Sequence, residues 1–140
     1  MTIRPITPTQ TYPLRHAVLW PDQPLDYVKV ADDDAGQHFG AFEADQLVAV
    51  ISLFISPDGT ARFRKFATDS AWQGRGIGSA LLRHTIAAAT AQGARALWCD
   101  ARQTALNFYE RFGMQPEGEV FYKGPIAYVR LRMDLIELTD

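Results

Sequence analysis

Cysteine is almost absent from this sequence, Cys99 standing alone among 140 residues. A single thiol cannot close an internal disulfide, which fits a reducing compartment. Long apolar runs are missing too. The most apolar stretch, Leu47 to Ile55, is far shorter than the roughly 20 residues a membrane span needs, and Met1-Thr2-Ile3-Arg4-Pro5 lacks the apolar core of a secretory leader. A cytoplasmic location without a membrane partner is therefore expected. Neither sign of charge dominates: 14 Lys and Arg against 16 Asp and Glu leave −2, so nothing draws the chain to nucleic acid. Internal repeats and low-complexity segments are lacking as well. A hydrophobic content of 47% supports one core and leaves no room for a second domain of ordinary size, so residues 1–140 are expected to form a single domain.

What is present is a regular order of elements. Thr2 to Ile6 reads as a first strand, interrupted by the cluster of Pro5, Pro8 and Pro13. Tyr12 to Leu19 can form a helix with Leu14, Val18 and Leu19 buried until Pro21 stops it, and Leu25 to Val30 suggests another short helical turn. Asp32-Asp33-Asp34 cannot converge on one ion from an extended backbone, so this segment reads as a solvated loop and no metal is expected. Gln37 to Phe42 and Gln46 to Ile55 form a hairpin through Glu43-Ala44-Asp45, and the turn Ser56-Pro57-Asp58-Gly59 returns Thr60 to Thr68 as a third strand. From Gly76 to about Gln92, Ile77, Leu81, Leu82, Ile86 and Ala89 share one half of a helical wheel, with Gly93 after it. Arg95 to Asp100 is a strand parallel to Thr60–Thr68 through that helix. A helix from Gln103 to Phe112 and a hairpin of Glu117–Tyr122 with Ile126–Leu135 complete an α+β fold with a mixed sheet. The final hairpin could pair with a second copy as a homodimer.

Three glycines stand at the entrance of the longest helix, in Gln73-Gly74-Arg75-Gly76-Ile77-Gly78. Such a stretch presents several backbone N–H groups beside the positive end of a helix and suits an anion. A dinucleotide fingerprint is a poor match: Ser79 replaces the third small residue, and Asp69 to Gln73 put too much chain between strand and first glycine. The pattern Gln/Arg-x-x-Gly-x-Gly/Ala fits better.

On those residues, Phe66 to Leu82 resembles the acyl-coenzyme-A loop of the GNAT acetyltransferase superfamily. A second segment, Ala105-Leu106-Asn107-Phe108-Tyr109-Glu110-Arg111-Phe112-Gly113-Met114, resembles the family's A-x-x-F-Y-x-x-x-G-F block at the usual distance downstream. The resemblance implies an N-acetyltransferase fold in which two parallel strands splay and admit the pantetheine arm. It implies acetyl-CoA as donor, with Gln73, Gly74, Arg75, Gly76, Ile77, Gly78 and Ser79 around the pyrophosphate and Asn107 also against the coenzyme. Arg102 stands where the family often has a coenzyme-contacting asparagine.

Acetyl transfer needs an unprotonated amine, a stabilised oxyanion and a proton for the leaving thiolate. Backbone N–H groups of Phe66, Ala67 and Thr68 suit the oxyanion if their strand bulges. The family points to Tyr109 for the thiolate, although the residue also suits a core position. Family members often carry a glutamate on the strand before the loop; here Thr60 to Thr68 has no carboxylate, so an ordered water or the substrate's own equilibrium must serve. Strict alternation puts Arg62 and Arg64 on one face with Phe66, and Phe63 with Lys65 on the other. The two guanidinium groups could bind an anionic, small-molecule amine such as an amino acid. His38 or His16 could also meet the acceptor, whereas His84 and Cys99 read as structural. A catalytically silent acyl-CoA sensor is the alternative.

Overall fold

The computed structural model describes residues 1–135. Its elements are β1 (Thr2–Ile6), α1 (Pro8–Leu14), β2 (Gln37–Glu43), β3 (Gln46–Ile55), β4 (Thr60–Thr68), α2 (Ile77–Ala91), β5 (Ala96–Arg102), α3 (Leu106–Glu110), β6 (Gln115–Pro116), β7 (Phe121–Lys123) and β8 (Ile126–Asp134). One eight-stranded sheet runs in the order β1-β2-β3-β4-β5-β8-β6, with β7 on β8. The β4–β5 pair is parallel, whereas β1–β2, β2–β3 and β5–β8 are antiparallel, which is the expected α+β mixed sheet. Two compact units divide the chain. The first comprises Met1–Phe54 and Phe63–Ala88, the second Ile55–Arg62 and the chain from Ala89 onward.

In the first unit, β1 is an edge strand, where Pro5 removes no needed donor. α1 begins earlier than its apolar pattern suggests. Thr7 Oγ1 accepts from Gln10 N (3.3 Å) and Gln10 Oε1 accepts from Thr7 N (2.8 Å), a capping box with Pro8 in the first turn. Pro13 contributes no N–H to the helical ladder, and the chain continues as a π-helical turn over Arg15–Leu19. Val48 to Leu53 are buried without alternation, as expected of a strand covered on both faces. Leu14, Val50 and Ala67 form one core cluster with Ile6, Val18, Leu19 and Leu47 against it. Ala44 and Asp45, both left-handed, make the two-residue turn between β2 and β3.

The expectation of a solvated 32–36 loop fails at Asp33. A 3₁₀ turn over Asp33–Ala35 directs this carboxylate inward, where it is 4% exposed. Arg15, with no exposed surface, grips it through two hydrogen bonds of 2.9 and 3.0 Å and also donates to Val28 O and Ser52 Oγ. Val30 N donates to the same carboxylate. The buried charge is thus matched by a fork-to-fork partner and neutral acceptors together.

In the second unit, β5 and β8 pair along seven registers from Ala96↔Asp134 to Arg102↔Tyr128. Leu97, Cys99 and Ala101 are buried, while Trp98, Asp100 and Arg102 lie on the more open face. The strand expected from Glu117 to Tyr122 is shorter. The chain turns through left-handed Gly118, so β7 begins only at Phe121.

Replacing Asp33 by Asn leaves the Arg15 charge buried without its counter-ion, and should cost about 3–5 kcal/mol in urea unfolding. Burial pushes the Asp33 carboxyl upward, but the Arg15 and Val30 donors outweigh it and hold it below the ordinary range. Its contribution is therefore complete above the unfolded value of about 4 and is lost as pH falls through the folded one. Asp33→Asn should accordingly flatten the acid limb of the stability curve; an unchanged limb would show that the pair contributes nothing.

Candidate active site

β4 ends at Thr68, and the next residues build a braced loop. Asp69 N donates to Val48 O (2.8 Å), Asp69 Oδ1 accepts from Ala71 N (2.9 Å), and a 3₁₀ turn covers Ser70–Trp72. Gln73 Nε2 donates to Thr68 O (3.0 Å), so its side chain closes the loop on the end of the strand. Gly74 and Gly76 then adopt φ of +76° and +80°, and a Cβ added to either would meet nothing within 4 Å. A left-handed backbone with clear space in front of it is what an approaching anion requires. The first turn of α2 follows at once, with Ile77 buried and N–H groups that have no intrahelical acceptor. Gly78 has a different role: its missing side chain lets the helix approach Phe66 and Thr68, which a Cβ would touch at 3.4 Å. Ser79 is half-buried on that turn, and Arg75 is exposed, with its guanidinium 4.8 Å from the Trp72 ring centre.

Upstream, Lys65 has φ +55° in the middle of β4. A left-handed residue inside a strand interrupts the alternation of side chains, as a β-bulge does. Phe63 and Phe66 consequently make an edge-on ring contact with centroids 6.2 Å apart, although three residues separate them. Phe66 and Thr68 both face Gly78, while Ala67 joins the Leu14–Val50 cluster. The expectation that Phe66 lies on the face of Arg62 and Arg64 is thereby corrected, because that alternation assumed a regular strand. The parallel ladder between β4 and β5 covers only Thr60–Arg62 with Ala96–Trp98, though both strands continue.

In the second unit, Tyr109 is buried on α3 with its ring edge-on to Phe108 at 5.1 Å. Burial, and then the proximity of Cys99, push its hydroxyl above the usual phenol range. It therefore stays protonated and able to donate at any ordinary pH. The same desolvation, with Asp100 adding to it, pushes the Cys99 thiol up to about 12. Cys99 is thus inert, as its surroundings in the sequence suggest. Asn107 is exposed on α3.

The polar residues expected to meet an acceptor fare differently. His38 is 4% exposed and fully engaged: Nε2 donates to Asp33 O (2.8 Å) and Nδ1 pairs with Ser52 Oγ (2.6 Å). It belongs to the Arg15 network, and both ring nitrogens are engaged there. His16 pairs with Gln23 O (2.6 Å), and His84 stacks edge-on with Phe39, a structural position. Arg64 lies 3.8 Å from exposed Asp32. Arg62 donates to Asp100 (3.2 Å) and stands over the Trp98 ring at 4.3 Å. Arg130 of β8, not picked out from the sequence, joins both: it holds Asp100 at 2.8 Å and covers Trp98 at 4.1 Å. The alternation of Tyr128-Val129-Arg130-Leu131-Arg132 carried the signal. Among the described residues no cluster of three potential metal ligands forms, and no helix is long and apolar enough to cross a membrane.

Valine normally favours a strand, yet Lys65→Val should destabilise the protein by about 1–2 kcal/mol, because a β-branched side chain resists the left-handed region. Urea denaturation of that variant checks the point, and a neutral or stabilising effect would mean that β4 is regular.

Known proteins resemble this chain in sequence and in fold. The acetyltransferase (GNAT) family model matches residues 6–114. A Bacillus subtilis (strain 168) protein named an uncharacterized N-acetyltransferase, YitI, is 27% identical over 129 residues, covering 86% of this chain and 87% of its own. Among solved structures, a Bacillus subtilis acetyltransferase in complex with CoA aligns with a TM-score of 0.77 at 22% identity, over 96% of this chain and 98% of that one. A GNAT family acetyltransferase from Elizabethkingia anophelis with acetyl-CoA bound aligns with a TM-score of 0.77 at 19% identity, over 96% and 97%. These two structures establish likeness of fold, while the family match runs through the loop, α2 and the Tyr109 helix. The chain belongs to the GNAT acetyltransferase family.

Proposed function

We propose that this chain, acting as a single domain, transfers the acetyl group of acetyl-CoA to the primary amine of a small molecule by direct attack in a ternary complex. The observation that carries this reading is the left-handed pair Gly74 and Gly76, open to solvent at the start of α2. Acetyl-CoA supplies an activated thioester. The N–H groups of the 74–79 backbone would hold its pyrophosphate, with Arg75 as an exposed cation and Ile77 fixing the helix from below. Asn107 is an exposed polar residue available to the coenzyme, and Gln73 braces the loop. β4 past Arg62 offers backbone for the extended arm, since its ladder to β5 has ended. After the break at Lys65, the N–H groups of Phe66, Ala67 and Thr68 are the candidates for the carbonyl oxygen as it gains charge.

The amine nitrogen forms its bond to the acetyl carbon as the carbon–sulfur bond breaks. Tyr109 gives the departing sulfur its proton or a strong hydrogen bond, and burial suits it to that task by suppressing ionisation. The proton lost by the amine goes to water, because β4 has no carboxylate to accept it. That missing base also supports a second reading, acyl-CoA binding without turnover. Thiol release from acetyl-CoA with a panel of amines separates the two: no release with any amine would favour the sensor.

Gly76→Val should retain its far-UV spectrum yet weaken acetyl-CoA binding by about 2–3 kcal/mol, the loss expected when charge-assisted hydrogen bonds fail. Calorimetry with unchanged affinity would refute the phosphate assignment. Tyr109→Phe keeps the ring and removes the donor, so kcat should fall on the order of 100-fold while coenzyme affinity holds. Normal turnover with lowered thermal stability would return Tyr109 to a purely packing role.

A further inference from the structure

Asp33 is fixed at each of its polar groups. Its carboxylate takes Arg15 and the Val30 N–H, its own N–H donates to Val30 O (3.0 Å), and its carbonyl accepts from His38 Nε2 (2.8 Å) and Gly36 N (3.0 Å). The residue before it shares that constraint. Asp32 opens the 3₁₀ turn without a capping hydrogen bond from its side chain, which is 62% exposed. Its charged partner among the described residues is Arg64, whose Nη1 lies 3.8 Å from Oδ1, beyond hydrogen-bond range. The carboxylate thus keeps its acceptor sites for solvent.

Arg64 stands on β4 directly before left-handed Lys65 and two residues before Phe66, a span of about 7 Å at about 3.3 Å per residue. The two faces of this part of the strand have different neighbours. Phe66 and Thr68 face Gly78 of α2, whereas Ala67 packs with Leu14 of α1, and Arg64 reaches the turns that follow α1. All of these residues belong to the first unit. The segment held by Arg15 therefore brings a carboxylate to β4, which has none of its own, close to the N–H groups proposed for the carbonyl oxygen.

Stability gives little reason for the pair, since an ion pair this long and this exposed contributes little. The reaction, however, has a proton to dispose of. An amine nitrogen that has bonded to the acetyl carbon is a far stronger acid than a free ammonium, so a water backed by a carboxylate suffices as its base.

We infer that Asp32 holds the water that deprotonates the acceptor amine and takes the proton from it, with Arg64 steering the carboxylate. This rests on the amine-acetylating reading above and gives the departing proton a destination on the protein. As the nitrogen–carbon bond forms, the proton passes from nitrogen to water and from that water to a carboxylate oxygen of Asp32. The carbon–sulfur electron pair leaves with sulfur, and Asp32 returns its proton to solvent once the amide has gone. Because it acts through water, Asp32 is a positioning residue.

The test measures thiol release from acetyl-CoA with the best amine of the panel, in wild type, Asp32→Asn, Asp32→Ala and Asp34→Asn, the last an exposed neighbour serving as control. Asp32→Asn should keep its thermal midpoint and its KM for acetyl-CoA while kcat falls on the order of 100-fold. Asp34→Asn should match wild type. Sodium formate should restore part of the kcat of Asp32→Ala and leave wild type unchanged, whereas sodium chloride at the same ionic strength should restore nothing. Wild-type kcat in Asp32→Asn, or an equal fall in Asp34→Asn, would overturn the assignment and leave acetylation standing. A fall in kcat that comes with a lowered midpoint and no formate rescue would make Asp32 purely structural. No thiol release by wild type with any amine would remove acetylation, and the role of Asp32 with it.

Discussion

A guanidinium with no exposed surface must find all its solvation inside the protein, and Arg15 is such a group. Its partners come from four places in the chain: the Val28 carbonyl, the Asp33 carboxylate, the Ser52 hydroxyl and, through Ser52 and the Asp33 carbonyl, His38. In the turns between α1 and β2 Val28 is buried, but Leu25 and Tyr27 are about half exposed, so apolar packing alone does not hold the segment. Charge and hydrogen bonding organise this segment instead. Because removing any one partner strands a buried polar group, the network tolerates only a narrow set of arrangements. It gives the segment a definite course across β2 and β3.

The elements that could be read from the sequence were those governed by local chemistry. β1 and β4 have the expected bounds, and the β2–β3 turn falls at Ala44-Asp45, since turn residues and apolar runs act over short distances. The start of α1 was also written locally, in Thr7-Pro8-Thr9-Gln10, but the proline cluster masks it as a break. Asp33 was different. Nothing in three adjacent aspartates tells which one turns inward, because that depends on Arg15, eighteen residues away. His38 lost its freedom to the same contact. Lys65 was illegible for another reason: a lysine seldom takes a left-handed conformation, and only the surrounding sheet imposes it.

The candidate chemistry divides between polar atoms of the backbone and a protonated phenol. Neither depends on a charged catalytic side chain. Open glycines and the break at Lys65 place N–H groups by conformation alone, which costs no reorganisation when negative charge develops. Tyr109 gains its donor character from desolvation. The two arginine clusters differ in burial: Arg15 is enclosed with its carboxylate, whereas Arg62 and Arg130 reach Asp100 from a more open face. Burial of the matched Arg15 charge serves architecture.

Cys99 has a practical bearing on how this protein can be studied. It is the sole cysteine, it is buried, and its thiol ionises only near 12. Nucleophilic attack on aromatic disulfides or maleimides requires thiolate, so the native protein should be silent toward these reagents at neutral pH. Free coenzyme A carries an exposed thiol and has no such protection. Chromogenic disulfides can then be present throughout the reaction, and each equivalent consumed counts a turnover rather than a modified enzyme. Protein that does react has lost its native packing around β5, which makes the same reagent a marker of unfolding.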